Sequence, residues 1–412
     1  MTQSAPLFRR DFLLVVIGQM ISLFGNAILR FALPLHLLHT TGSSALFGAV
    51  TACAFAPMVV LSLLGGILAD RINKRNIMVI LDFCTAFLVS CFFIATGHVP
   101  TVPLFIIVLM LLYGISGTYQ PAVQASIPLL VAPERLIAAN AVINQVNTLS
   151  GLLGPVIGGI LYSLLGLSPL LFLSIACFTF SAIMELFIHI PHERRPYHEG
   201  ILATAKADLS ECYRFVRNEK PVFFSVVLLV ALFNLVLSAV MIVGTPILIT
   251  QTLALSDTLY GFTQGALALG GLCGGVLAAT CSQRLHIMQA HRLLLLCALS
   301  VAGMALALLL PISTTVSYLI ITLMSFLAMA ASTLFMVQIY TIVQTQTPPQ
   351  LIGKVMAALI AIALCGQPIG QALYGVLFQI FAAQSWLVLL GAALAACCIA
   401  LASRRIFHRL SA

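Results

Sequence analysis

The sequence predicts an all-α integral membrane protein with twelve transmembrane helices in two pseudo-symmetric six-helix bundles. Three observations carry this. Of 412 residues, 61% are hydrophobic and only 7% charged, with a mean hydropathy of +1.13. A water-soluble protein of this size needs a largely polar surface, which such a composition does not supply. The apolar residues fall in runs of about twenty or more, the length that crosses a hydrocarbon core. The charges then sort by side. With both termini placed in the cytoplasm, every Lys and Arg except Arg30 falls at an inner connector, and the outer connectors hold none.

The spans have approximate limits Asp11–Leu38, Ala45–Ala69, Asn76–Gly97, Val102–Val131, Leu136–Leu165 and Pro169–Ile190 in the first half. Pro221–Gln251, Thr258–Ser282, His291–Leu310, Val316–Gln346, Leu351–Phe381 and Ser385–Ile406 follow in the second. The first run is too long for the apolar region of a cleavable signal peptide and leads into further spans. The chain is therefore read as an N-terminal bundle over 1–190, a cytoplasmic linker over 191–220 and a C-terminal bundle over 221–412. In the linker, Ile201, Leu202, Ala205, Leu209, Cys212, Tyr213 and Val216 share one helical face, opposite charged residues. That pattern predicts an amphipathic surface helix. The cysteines are scattered through apolar runs without a CxxC pair, as small apolar fillers are.

The halves repeat one another. Gly65-Gly66-Ile67-Leu68-Ala69 closes the second span, and Gly274-Gly275-Val276-Leu277-Ala278 closes the eighth. Gly154-Pro155 in span 5 has its counterpart in Gln367-Pro368 of span 11. Two parallel six-helix halves with a substrate path near the membrane midplane follow from such symmetry.

Between spans 2 and 3 the chain reads Gly66-Ile67-Leu68-Ala69-Asp70-Arg71-Ile72-Asn73-Lys74-Arg75. This resembles the signature Gly-x-Leu-Ala-Asp-Arg-x-Gly-Arg-Arg of the major facilitator superfamily. Asn73 stands where that signature has glycine, and asparagine tolerates the left-handed turn expected there. Span 5 carries Gly154-Pro155-Val156-Ile157-Gly158-Gly159, which resembles the Gly-Pro-x-x-Gly-Gly motif of antiporters in the superfamily. Small residues there let a neighbouring helix come close, and proline bends the span. Phe24-Gly25-Asn26, Glu134–Asn140 and Thr347–Val355 are similar to the branch of macrolide-type drug exporters and bacterial siderophore exporters.

The resemblance implies a multi-pass protein of the bacterial cytoplasmic membrane, a monomer without cofactor, exchanging a small-molecule substrate for protons. It implies a conformational latch of Gly66, Asp70, Arg71 and Arg75, in which Asp70 meets the start of span 11. A carboxylate suits that place, because the exposed amides of a helix start form a positive pole. Ala279 stands at the equivalent position of the second half, so the latch is one-sided. Many relatives carry an arginine in span 4. Here that stretch, Leu109–Gly117, has no basic residue, so their proton route does not transfer.

Arg30 lies nineteen positions beyond Asp11, about 28 Å along a helix at 1.5 Å per residue. A charge inside a span usually faces a cavity. Arg30, with Asn26 one turn below, is read as a cation for an anionic or carbonyl-rich substrate or an outer gate; an arginine reaching for the outer headgroups is the alternative. Asp82 and Glu185 lie in spans 3 and 6 near the cytoplasmic ends, as proton-exchanging groups or as partners of loop arginines. Gln120, Gln124, Asn140, Asn144, Asn234, Gln264, Gln338, Tyr340 and Gln371 read as lining for a substrate cavity, with interhelical hydrogen bonding as the competing use.

No metal, nucleophile or phosphate-loop constellation is present, and the basic residues serve orientation rather than nucleic acid. The expected function is thus a non-enzymatic secondary exporter of amphipathic small molecules, drug- or siderophore-like, by alternating access and proton antiport. A lysolipid flippase or nutrient symporter is the alternative, and a non-transporting membrane sensor is disfavoured by the intact latch sequence.

Overall fold

The computed structural model describes residues 9–190, 214, 216–217, 220–280, 290–348 and 351–411, leaving aside the side chains of 63–64, 66–67, 69–71, 137, 352–354, 357–358 and 408–411. Twelve helices are long and apolar enough to cross a membrane. They are α1 (Arg10–Thr41), α2 (Ser44–Arg71), α3 (Lys74–Ala95), α4 (Thr101–Leu130), α5 (Leu136–Leu165) and α6 (Leu167–Leu186). The second set is α7 (Val222–Thr252), α8 (Asp257–Thr280), α9 (Ala290–Leu309), α10 (Thr314–Gln346), α11 (Ile352–Ile380) and α12 (Ser385–Ser411). The expected spans are matched within a few residues, with two exceptions. α6 stops at Leu186, four residues short of the expected Ile190, and α12 runs on to Ser411. Most of the expected linker helix lies outside the described residues.

Local chemistry sets the helix ends. Gly42 closes α1 with φ 64°, a left-handed conformation that glycine adopts without penalty. Ser313 caps α10 by accepting from the Val316 amide. The 2–3 connector differs from expectation. Asn73 is not in a left-handed turn: at φ −57°, ψ 120° it caps α3, and its side-chain oxygen accepts from the Arg75 amide at 3.0 Å. Capping rewards asparagine over glycine here, which accounts for the departure from the signature. α7 widens to π-helix at Asn234–Ser238 and Ile247–Thr252, the latter directly after Pro246.

Contacts divide the chain into two compact units. The first comprises Met1–Gly42, Cys53–Pro196 and Ser256–Gly265; the second comprises Ser43–Ala52, Tyr197–Leu255 and Ala266–Ala412. α2 and α8 therefore each contribute to both. Within the first unit α1 packs on α4, α5 and α6, and α3 packs on α4 and α6. Within the second, α7 packs on α11 and α12, and α9 on α10 and α12. Read with α1 matched to α7 and so on, most of these pairings coincide, which is the repeat expressed as packing. Gly65 and Gly274 show it residue by residue. A Cβ on Gly65 would meet the Thr118 backbone of α4 at 2.6 Å, and one on Gly274 the Ala330 carbonyl of α10 at 2.5 Å. Large apolar side chains such as Phe87, Ile94, Leu164 and Phe224 are more than two-thirds exposed. Exposed apolar surface of this kind marks a membrane or protein interaction face.

Candidate functional site

The polar chemistry of the first unit gathers in two places, one near each end of its helices. At the end expected to face the cytoplasm, Asp82 of α3 and Glu185 of α6 are 2% and 0% exposed. Ser22 of α1 donates to Asp82 Oδ1 at 2.9 Å. Tyr119 of α4 donates to Glu185 Oε1 at 2.6 Å, and its oxygen accepts from Gln19 Nε2 at 2.6 Å. Gln19 and Ser22 are three apart, so one face of α1 serves both carboxyls. Gly18 of α1 clears the approach of Glu185 and Ser181, and the Ser181 hydroxyl donates to the Gly18 carbonyl at 3.0 Å. Asp82 Oδ2, Glu185 Oε2 and Gln19 Oε1 have no protein hydrogen-bond partner. Among the described residues no basic side chain contacts either carboxyl.

Toward the opposite end, α1, α5 and the start of α8 converge. His39 Nε2 meets Asp257 Oδ1 at 2.7 Å, and His36 Nδ1 meets the Tyr162 hydroxyl at 2.8 Å. Phe31 stacks on Tyr260 at 4.9 Å. The Gly154–Gly159 segment makes this convergence possible. A Cβ on Gly154 would strike the Ala27 methyl of α1, and one on Gly159 would lie 2.8 Å from the Asp257 carbonyl and 3.0 Å from Gly261 Cα. Gly158 faces Phe31 and Ile28. Pro155, at the same turn, offers its carbonyl to Gly261.

Arg30 is half-buried within the first unit. Its guanidinium carbon lies 3.7 Å from the Tyr113 ring centroid of α4, and Nη2 is 3.8 Å from Met58 Sδ of α2. The side chain thus lies on an aromatic face. Asn26 is half-buried.

The amides divide. Gln124, Asn140 and Asn144 are exposed, and Gln120, Asn234, Gln264 and Tyr340 are half-buried. Asn140 and Asn234 each donate to the carbonyl four residues back, and Gln264 donates to Tyr260 at 2.7 Å. Gln338 and Gln371 are buried with their side-chain oxygens unpartnered. Of the latch, the side chains of Gly66, Asp70 and Arg71 lie outside the described residues. Arg75 is half-buried, with Nε lacking a partner.

Sequence reasoning missed Gln19, Ser22, Tyr119 and Ser181, and all of His36, His39, Tyr162 and Asp257. The i, i+3 spacing of Gln19 and Ser22 was a usable signal. The histidine–aspartate pairing joins residues 218 apart and left none.

The model of the Major Facilitator Superfamily matches residues 15–370. The chain belongs to that superfamily. Among curated relatives, macrolide efflux protein A of Streptococcus pyogenes is 27% identical over 42% of this chain and 43% of its own length, so that match spans less than half of the relative. Multidrug efflux pump Tap of Mycolicibacterium fortuitum is 24% identical over 89% of each chain. Enterobactin exporter EntS of Salmonella choleraesuis is 25% identical over 90% of this chain and 85% of its own. Among solved structures, a bacterial homolog of the lysosomal transporter Spinster superposes with TM-score 0.75 at 15% identity over 99% of both chains. The nucleoside transporter NupG gives 0.76 at 13% identity over 96% of this chain and 98% of its own. These two share the fold.

Proposed function

We propose that this superfamily member is a secondary active exporter of amphipathic small molecules, drug- or siderophore-like, working by alternating access with proton antiport. The observation that carries the reading is the Gly154–Gly159 segment. Its sequence resembles the antiporter motif, and its glycines serve as close helix seats against α1 and the start of α8. Relatives matched over most of their length, a multidrug pump and an enterobactin exporter, support export. Exposed amides on α4 and α5 support a hydrated, broadly accepting path, since an amide on a membrane helix needs water or a polar partner. The functional halves are 1–190 and 221–412, joined by 191–220. Both termini are cytoplasmic in a bacterial inner membrane, the chain acts as a monomer, and Asp70 latches the start of α11.

The test is reconstitution in vesicles with an imposed pH gradient and a panel of dyes, macrolides, siderophores and lysolipids. Gradient-driven movement of at least one dye, macrolide or siderophore is expected. Flux indifferent to the gradient removes antiport, and flux confined to lysolipids moves the assignment to a flippase. Asp70→Asn is expected to insert normally and to slow transport; wild-type flux at equal expression would remove Asp70 from the mechanism.

A further inference from the structure

We propose that Asp82 and Glu185, tied to one face of α1 through Ser22, Tyr119 and Gln19, form the proton-coupling site of this transporter. The inference rests on the antiport reading and deepens it by naming the residues that carry the ion.

The argument begins with what faces the pair. α1 presents Gln19 and Ser22, α4 presents Tyr119, and α6 presents Ser181 beside Glu185 itself. Thr85, the next polar group on α3, spends its hydroxyl on the Leu81 carbonyl. All of these groups are neutral, and among the described residues no Lys, Arg or His reaches the carboxyls. Two carboxylates held together in a medium of low dielectric without a cation repel each other and lose their hydration. The arrangement is stable with a proton on the pair. Each acid also has one oxygen satisfied by a hydroxyl and one without a protein partner, so a proton bound there displaces no existing hydrogen bond.

The surroundings make the proton's presence felt mechanically. Ser22 and Gln19 belong to α1, while the acids belong to α3 and α6. Loss of the proton leaves a charged pair whose nearest donors are the Ser22 hydroxyl of α1 and the Tyr119 hydroxyl of α4, which itself accepts from Gln19 of α1. A negative cluster calls for water, so the charged state favours movement of α1 that hydrates the site. Loading and release are simple transfers. A carboxyl O–H bond breaks heterolytically, its electron pair stays on the carboxylate, and the proton passes to a water molecule as hydronium. Reprotonation runs the same step in reverse from water of the opposite side. The site sits near the expected cytoplasmic end and is sealed in this structure, as a carrier requires of an ion in transit.

The second unit offers no duplicate. No Asp or Glu occurs after Asp257 in the sequence. α9 and α12, the counterparts of α3 and α6, bury Cys297, Ser300 and Ser403. One pair per molecule predicts one exchangeable proton.

Two measurements on the full chain test this. Infrared-detected titration of purified protein in lipid should show one buried protonated-carboxyl band that is lost on alkalinisation. The band should vanish in Asp82→Asn or Glu185→Gln and shift in Tyr119→Phe, which keeps the ring and removes one hydroxyl. Absence of the band in wild type, or its persistence unchanged in both acid variants, overturns the proposal whatever the substrate is. In vesicles, using the panel compound that wild type moves, the acid variants should keep gradient-free counterflow and lose acceleration by the pH gradient. Variants that remain coupled like wild type overturn the site alone. Wild-type flux that ignores the gradient overturns the antiport reading and the coupling role with it. Retained counterflow separates lost coupling from a damaged fold, and Tyr119→Phe serves if an acid variant does not fold.

Discussion

Two helix crossings in this protein share a backbone design and differ in chemistry. In the first unit the start of α8 lies on α5 through Gly261 and Gly159, and beside it Asp257 meets His39 at the end of α1. In the second unit the start of α2 lies on α11 through Gly48 and Gly375, and beside it Ser44 donates to Gln251 at the end of α7 at 2.9 Å. Ser44 and Asp257 are each the first residue of their helix, and each glycine follows four residues later. The repeat has therefore kept the small-residue seat twice and the ionisable pair once. The same division holds in the cores, where α3 and α6 bury two acids and α9 and α12 bury none. Close packing is the shared architecture, and among the described residues the ionisable pair and the buried acids lie in the first unit.

The largest expected effects come from the shared element. Gly261→Val or Gly159→Leu forces side chains onto backbone at 2.7–3.2 Å, an overpacking that costs about 1–3 kcal/mol or more. Gly48→Val and Gly375→Val should do the same in the second unit. Thermal-shift and transport assays on all four should show comparable losses; a tolerant pair would break the equivalence of the crossings.

Arg30 should come next. Arg30→Ala removes the stack on Tyr113, worth about 0.5–2 kcal/mol. Arg30→Lys should fall between alanine and wild type, because an ammonium lacks the planar face. Equal behaviour of Arg30→Lys and wild type in thermal-shift and flux assays would reduce Arg30 to a charge.

Smaller effects should separate the two crossings. His39 is 39% exposed and Asp257 18%, so the pair is worth about 0.2–1 kcal/mol in stability. Asp257→Asn should nonetheless change transport rate more than Ser44→Ala. The double substitution Ser44→Asp with Gln251→His, which gives the second crossing the first one's chemistry, should alter transport rate by less than Gly48→Val or Gly375→Val does. If Ser44→Ala matches Asp257→Asn in transport, the ionisable pair is only another hydrogen bond.

The fold was legible because the membrane permits few alternatives. Lengths of apolar runs, one-sided Lys and Arg and the Gly65/Gly274 repeat each constrain the same drawing, and the helices follow it. Asp82, Glu185 and Arg30 were also visible, since a charge in a span is rare enough to mark itself. Their partners were not. Tyr119 looks like any aromatic residue of α4 until α6 brings Glu185 against it, and the use of Gln264 on Tyr260 depends on rotamers that spacing does not encode. A glycine position in the signature suggests left-handed backbone at Asn73, whereas the local need there is a helix cap.

The most direct test of confining ion chemistry to the first unit is substrate-evoked proton movement in reconstituted vesicles. It compares wild type with the double variant Asp82→Asn, Glu185→Gln and with Cys297→Ala, Ser403→Ala at the counterpart helices. The account predicts proton movement in wild type and in the Cys297→Ala, Ser403→Ala variant, and none in the acid variant. Proton movement that survives loss of both acids would contradict it.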